Sequence, residues 1–389
     1  MTEARLFIAK AALLLLPFAI PLAFPTFVLW GAGEFVSQEQ IIHQQSRGGD
    51  DLIVGLAFSN PWRTFKLEAA LQRQPQILVL GSSRSVPLRG TWFKEPSKFY
   101  NAGMGVSVLW HHEEFLRRFP IHALPRLLLL DLDQWDFNDN SSTTDSTDRR
   151  DPYFHSAQEP LHLIQERWKE IYQLHREGRF STSEIFRNAL GGRYLGLTAV
   201  TQRAGFRNDG SRVDPHMFNT TSPAPGLHDP AYETAIQRIM AGATPGNSRY
   251  EHGTTVSDER LDTLLSLLSF CQDHHIHVAA FMPPYAHKVI EVMRAKGDSY
   301  AYFFALNGRL QPLFKQHGFS LSDFSDIQSL SLPDSEVCYS DGYHSSEKTY
   351  LKLLIELARA DGHVSAAVDL PALEALLLRS TAPLAVLER

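Results

Sequence analysis

The hydrophobic pattern opens on AALLLLPFAIPLAFPTFVLWGA, residues 11–32, a run with no charged side chain. About 20 apolar residues suffice to cross the hydrocarbon core of a bilayer, so the run predicts an N-terminal transmembrane helix. Arg5 and Lys10 precede it and Glu34 follows it, an arrangement that keeps the amino end inside and sends the rest of the chain outward. Pro17, Pro21 and Pro25 recur every four residues, which lines them along one helical face and predicts a bend that a membrane helix tolerates. Trp30 fills the place where a signal peptidase needs a small residue. Residues 1–32 therefore read as an uncleaved signal anchor. A cleaved signal peptide is the alternative, and it gives the same compartment.

Residues 33–75 read as a leader of mixed helical pattern. Beyond it, QILVLGSSRS carries an aliphatic run from Ile77 to Leu80 that ends in small residues. Continuous aliphatic runs of that length are the mark of strands buried on both faces of a parallel sheet. KFYNAGMGVSV gives a second short strand and a glycine-bearing turn, VLWHHEEFLRRF has helical periodicity, and PRLLLLDLDQWDF is another apolar strand ending in acids. Strand, helix and strand at this spacing predict an α/β fold with a parallel sheet. The pattern breaks at NDNSSTTDSTDRRDP, residues 138–152, which is rich in turn formers. Residues 140–255 offer helical pieces between Gly, Pro and Asn clusters and no evident strand, so they read as an inserted helical and loop region. The sheet pattern resumes with helix SDERLDTLLSLLSFCQDHH, strand IHVAAFMPP, helix AYFFALNGRLQPLFKQHG, strand FSLSDFSD and helix EKTYLKLLIELARA. Residues 76–139 and 256–365 together form the expected sheet domain, and 366–389 a C-terminal tail. No internal repeat is evident.

Charge and cysteine content narrow the function classes. Lys and Arg total 37 against 43 Asp and Glu, a formal net charge of −6. Nucleic-acid binding calls for a basic excess, so that class is set aside. Cys271 and Cys338, the two cysteines, form no metal-ligand spacing. They read as buried thiols, with a single disulfide open in an oxidising compartment.

Three segments carry candidate chemistry. LGSSRS ends the first strand, YNAGMG ends the second, and SDGYH, residues 340–344, precedes the last long helix. In open α/β sheets, sites form beyond the carboxyl ends of the strands, where these loops can meet. A serine on a strand-to-helix turn, a small-residue turn offering N–H groups, and a late Asp-x-x-His are the parts of a serine acyl-transfer site. Asp341 and His344, three apart on a turn entering a helix, can face the same way.

These blocks resemble those of the SGNH (GDSL-like) hydrolase superfamily. GSSRS stands where that family has Gly-Asp-Ser-x-Ser, NAGMG resembles its glycine block, and DGYH its Asp-x-x-His block. The resemblance implies a flavodoxin-like three-layer α/β/α fold, with Ser83 as nucleophile, His344 as base and Asp341 holding the imidazole. A Gly-Ser-Ser block behind an amino-terminal anchor is similar to the DltD-like branch and the related alginate O-acetylation proteins. That implies transfer or hydrolysis of an acetyl or D-alanyl ester on a cell-envelope polysaccharide or teichoic-acid-like polymer. It also implies a membrane-bound O-acyltransferase as partner, the inner membrane with the catalytic domain on the periplasmic or extracellular side as location, and no cofactor or metal. The chain departs from the family where Asp131 and Asp133 end the third strand, because an asparagine amide is expected there. The oxyanion is then expected to rest on the backbone N–H groups of Ser83 and of Gly103 or Gly105, with Asp133 in the vacated slot.

Other residues weigh less. Arg84 could meet an anionic substrate or pair with a carboxylate. His111 and His112 open a helix and read as a solvated helix start, with a position facing the site as the alternative. His274, His275 and His277 show no metal-ligand spacing. His287 lies in a loop next to the core, with the pocket rim as the alternative, and FRNDGS, residues 206–211, reads as a turn with substrate contact as the alternative. Two rival functions stay open: a non-catalytic assembly partner of a membrane acyltransferase, and a metal-dependent phosphoesterase using Asp131, Asp133 and Asp341.

Overall fold

The computed structural model describes residues 3–47, 52–57, 62–106, 108–141, 160–213, 230–241, 248–332, 339, 342–380 and 386. They fall into two compact units. One comprises Met1–Pro61, His155–Asn208 and Arg212–Pro215; the other comprises Trp62–Phe154, Asp209–Ser211 and His216–Arg389. The range 140–255, grouped as one insertion from its sequence, is therefore divided. Helices Pro160–Arg176, Thr182–Ala189 and Leu197–Gln202 belong to the first unit, and Pro230–Ala241 to the second. The leader 33–75 is likewise divided, at Trp62.

The first unit is organised by one helix of 30 residues, Glu3–Ala32. Its carboxyl end is protein core: Val28, Leu29 and Ala32 are fully buried with Ile171, Phe180, Ile185, Leu197 and Val200. The approach is close enough to need a glycine, since a Cβ on Gly31 would lie 2.6 Å from Cγ2 of Ile185. Just beyond, Glu34 is buried, and its Oε1 accepts the N–H groups of Ala57 at 2.9 Å and Leu197 at 2.6 Å. The amino-terminal part differs. Leu6, Phe7, Ile8, Leu13, Leu14 and Leu16 are exposed. Side chains at positions 12, 15 and 17–20 lie outside the described residues, and among the described residues no helix is long and apolar enough to cross a membrane. The transmembrane anchor expected over residues 11–32 is thus not found as a span. Part of the reason is physical: the last turns of that run are taken up by packing against protein.

A small sheet completes this unit, in the order Tyr194–Leu195, Ile53–Val54, Gly205–Phe206, Arg212–Val213. No strand was expected between 140 and 255. Strands of two residues are too short for alternation to register in a sequence.

The second unit is α/β, built on a five-stranded sheet whose pairings are all parallel. Its order is Phe99–Asn101, Ile77–Leu80, Leu127–Asp131, His277–Met282, Ser320–Asp323. In chain order that is 2-1-3-4-5, the order of flavodoxin-like doubly wound sheets, with the switch point between the first and third strands. The aliphatic runs explain the centre of the sheet. Ile77–Leu80 and Leu127–Asp131 are buried at every position, as strands covered on both faces must be. Helices Trp110–Arg117, Asp258–Asp273, Ala301–Gln316 and Glu347–Ala360 form at the predicted places. The C-terminal tail is not bare: helix Leu370–Arg379 packs on Glu347–Ala360, and the Val386 N–H donates to Glu347 Oε2 at 3.2 Å.

Candidate functional site

Because the strands are parallel, the loops after Leu80, Asn101, Asp131 and Met282 all leave at one edge of the sheet. Ser83 sits in the first of these loops and is half-buried. Its Oγ lies 2.8 Å from Nε2 of His344, a residue 261 positions away and also half-buried. With that nitrogen unprotonated, the hydroxyl donates to it, which is the contact a general base needs to take the proton. Asp341 lies outside the described residues, so the third member of the expected triad has no described position.

His344 is placed by the helix behind it. Ser346 caps Glu347–Ala360, accepting the Thr349 N–H at 3.2 Å, so the helix begins three residues after His344. The Gly342 carbonyl accepts the Ala286 N–H at 3.1 Å, and an antiparallel bridge joins Tyr339 to Ser345. These contacts close the loop on both sides.

The serine turn is fixed by a residue that was read only as part of the glycine block. Asn101 Nδ2 donates to the carbonyls of Ser85 and Leu88, each at 2.9 Å, and its Oδ1 accepts the Gly103 N–H at 2.8 Å. Gly105 N–H donates to the Ala102 carbonyl at 2.8 Å. This corrects the expected oxyanion hole: the N–H groups of Gly103 and Gly105 hold their own loop closed instead of facing an open site. Lys66, fully buried, reinforces the same strand by donating from Nζ to the Asn101 carbonyl at 2.9 Å and to the Gly210 carbonyl. The segment Asp209–Ser211 docks there too, the Asp209 carbonyl accepting the Asn101 N–H at 2.8 Å and its Oδ2 the Gly90 N–H at 2.6 Å. A Cβ on Gly210, where φ is +82°, would meet the Asn101 carbonyl oxygen at 2.2 Å. Residues 209–211 are therefore a clamp on the sheet edge.

Beneath the turn lies a buried electrostatic cluster. Arg84 Nη1 is 3.3 Å from Asp133 Oδ1 and donates to Gln134 Oε1 at 2.9 Å, and Nη2 donates to the Pro284 carbonyl at 2.7 Å. Its guanidinium lies over the rings of Tyr285 and Trp135, at 4.5 and 5.4 Å from their centroids. Of the two readings of Arg84, pairing with a carboxylate is the one observed. Gln134 ties the loop down further, donating to the Pro283 carbonyl at 2.8 Å. Asp131 is 2 % exposed, and among the described residues neither of its oxygens has a hydrogen-bond partner. The nearby Ser85 hydroxyl donates to the Ser82 carbonyl instead. Burial, followed by the charge of Asp133, pushes the Asp131 carboxyl well above the usual range. Burial raises the Asp133 carboxyl as well, with Arg84 opposing the rise, and of the two acids Asp133 is the one that faces Arg84. Burial likewise raises Asp136, with Asp133 adding to the effect and Arg260 opposing it. An Asp131–Asp133 metal centre would have to displace the cation already seated on Asp133, which weighs against the phosphoesterase reading.

Gly81 leaves no room between this cluster and the serine turn. A Cβ there would stand 2.3 Å from Cβ and 2.8 Å from Oδ2 of Asp131. Forced overpacking of this kind costs about 1–3 kcal/mol. Gly81→Ala is therefore expected to lower the unfolding free energy by that much, read as a lower urea midpoint, and to slow covalent labelling of Ser83, because the clash is relieved by moving the turn. Wild-type stability and labelling in the variant would show that the turn has slack.

The remaining histidines are elsewhere. His111 and His112 are buried, 3 % exposed each, which corrects their reading as a solvated helix start. Trp110 Nε1 donates to His111 Nε2 at 3.1 Å. Burial lowers His111 to about 3 and His112 to about 4, so both stay neutral. His287 Nδ1 is 2.9 Å from Asp326 Oδ2. Cys271 is a buried free thiol pushed up to about 12 by burial, and Cys338 lies outside the described residues. One residue without a motif does reach the site's surroundings. Exposed Arg249 donates to the Tyr343 hydroxyl at 2.6 Å, and the Tyr343 ring lies 4.1 Å from that of His344. No protein-family model, no curated protein and no solved structure matches the chain.

Proposed function

We propose that the chain is an SGNH-type serine O-acyltransferase or acylesterase acting on a cell-envelope polymer. The observation that carries this reading is the 2.8 Å contact between Ser83 Oγ and His344 Nε2 at the carboxyl edge of a parallel sheet. In this mechanism Ser83 Oγ attacks the carbonyl carbon of an acyl ester as its proton passes to His344 Nε2. The C–O bond to the leaving alcohol breaks, the alcohol takes that proton, and the acyl group stays on Ser83. An acceptor hydroxyl, or water, then gives its proton to His344 Nε2 and attacks the acyl carbon, and the bond to Ser83 Oγ breaks as Nε2 returns that proton to it. Asp341 orients the imidazole. Arg249 supplies a cation beside the site, in keeping with an anionic or polar polymer. The acyl donor is one delivered by a membrane-bound O-acyltransferase. A fluorophosphonate probe tests the proposal directly: it should form an adduct that mass spectrometry maps to Ser83.

A second reading rests on a different observation. With the Gly103 and Gly105 N–H groups engaged within the loop, few donors are left to hold an oxyanion. Such a site suits a non-catalytic assembly partner that keeps the fold for binding, and a protein inert to the probe would favour it.

We also assign the exposed apolar part of helix Glu3–Ala32 to the inner membrane as a single-pass anchor. Leu6 to Leu22 rise about 25 Å at 1.5 Å per residue, close to the ~30 Å hydrocarbon thickness. Arg5 then lies on the cytoplasmic side, Lys10 sits about one turn inside the span where its long side chain can reach back to that face, and no Lys or Arg follows until Arg47. A periplasmic alkaline phosphatase reporter fused after Arg389 is expected to be active. An inactive reporter, with a cytoplasmic reporter active at the same fusion point, would overturn both the compartment and the polymer reading.

A further inference from the structure

At the opposite edge of the sheet from Ser83, three side chains from two separate parts of the chain converge. His277 opens strand His277–Met282, Asp361 caps the short helix Gly362–Ala367, and His363 lies in its first turn. His277 Nε2 is 2.8 Å from Asp361 Oδ2, and His363 Nδ1 is 3.9 Å from Asp361 Oδ1. The two imidazole rings stack, with centroids 3.7 Å apart and planes 22° apart. One ligand atom from each residue lies within 4.8 Å of the other two. We propose that His277, Asp361 and His363 form a binding site for a divalent transition-metal ion, of which zinc is the representative.

The donor set suits that class. Neutral imidazole and carboxylate bind zinc at about 2.0–2.2 Å, which places two ligand atoms of a tetrahedral ion about 3.3–3.6 Å apart. His277 Nε2 and Asp361 Oδ2, hydrogen-bonded at 2.8 Å, reach that spacing by opening roughly half an ångström. His363 lies farther out, but its side chain is 67 % exposed, so its ring can turn in without unpacking the core. The same exposure leaves a further coordination position open to water. Outer contacts of the kind that orient metal ligands are also in place. Ser320 Oγ donates to Asp361 Oδ2 at 2.6 Å, and the N–H groups of His363 and Val364 donate to Oδ1 at 2.8 and 3.1 Å. The set has no signature in the sequence, because His277 stands 84 residues before Asp361. An ion here would join the starts of two strands to the end of helix Glu347–Ala360, whose other end follows His344.

The test uses the full-length protein, stripped with a chelator and titrated with zinc against a chromophoric competitor, then with cobalt to read visible ligand-field absorption. One equivalent of each ion should bind. His363→Ala, a surface change, should weaken zinc binding at least tenfold and remove the cobalt absorption. His277→Gln, which keeps a donor to Asp361, should do the same. Asp361→Ala is avoided because Asp361 also caps a helix. Failure of the wild type to bind either ion, or undiminished binding in both variants, overturns the proposal. Probe labelling of Ser83 should be unchanged in His363→Ala, so the metal site and the acyl-transfer reading stand or fall separately.

Discussion

Ser83→Ala is expected to abolish fluorophosphonate labelling and to lower kcat for a small acetyl ester by roughly 10⁴-fold or more, the scale seen when a serine nucleophile is lost. His344→Ala should fall as far, since without the base Ser83 Oγ keeps its proton at the distance where it now meets Nε2, 2.8 Å. Groups that act as a unit are not additive, so the double variant should be no slower than Ser83→Ala alone. Stability should barely move, because both side chains are half-buried at a loop edge and neither fills the core. Near-wild-type turnover in Ser83→Ala would remove the nucleophile assignment and leave the chain as a binding partner or as an enzyme of another kind. Wild-type turnover itself should be slow. One missing oxyanion donor costs about 10²–10³ in rate, and the N–H groups of Gly103 and Gly105 are engaged within their own loop. Slow hydrolysis is tolerable in a transferase, which gains from a poor reaction with water.

What was legible in the sequence followed from local pattern. The aliphatic run Ile77–Leu80, buried at all four positions, could be placed in the centre of a parallel sheet because such strands need no alternation. Helix Glu347–Ala360 was legible from the apolar spacing of EKTYLKLLIELARA, and its cap at Ser346 was not read until the structure showed it. Placing three loops at one sheet edge then brought Ser83 and His344 together across 261 residues. Pairings with no local signature were not legible. Asp133 looked like an occupant of the oxyanion slot because only its neighbours in sequence could be weighed, whereas its partner is Arg84, 49 residues earlier. Asn101 was read as the first letter of a glycine motif, yet its amide holds the serine turn from the adjacent strand. The apolar run 11–32 looked uniform, and only Ile171, Ile185 and Leu197 reveal that its last turns are buried in protein. In each case a residue's role is set by a contact that hydropathy does not encode.

The Arg84–Asp133 pair leads to the second large effect. Arg84→Met is expected to lower the unfolding free energy by about 3–5 kcal/mol, as removal of one partner from a buried ion pair does. Methionine fills similar space but leaves Asp133, 4 % exposed, without its counter-charge. It also removes the donors to Gln134 and Pro284 and the cation over Tyr285. The unfolded chain solvates Asp133 freely, so the penalty falls on the folded state alone. Urea unfolding followed by tryptophan fluorescence reads the loss, since Trp135 lies against the guanidinium. The companion variant decides the cause. Replacing both partners with apolar residues, Arg84→Met with Asp133→Leu, removes the stranded charge, and such double replacements are often neutral. The double variant should therefore recover at least half of what Arg84→Met loses. If it is less stable than Arg84→Met, the hydrogen bonds to Gln134 and Pro284 matter more than the charge pair. If Arg84→Met alone costs less than about 1 kcal/mol, the range of an exposed pair, the cluster beneath Ser83 is not the support that its burial implies.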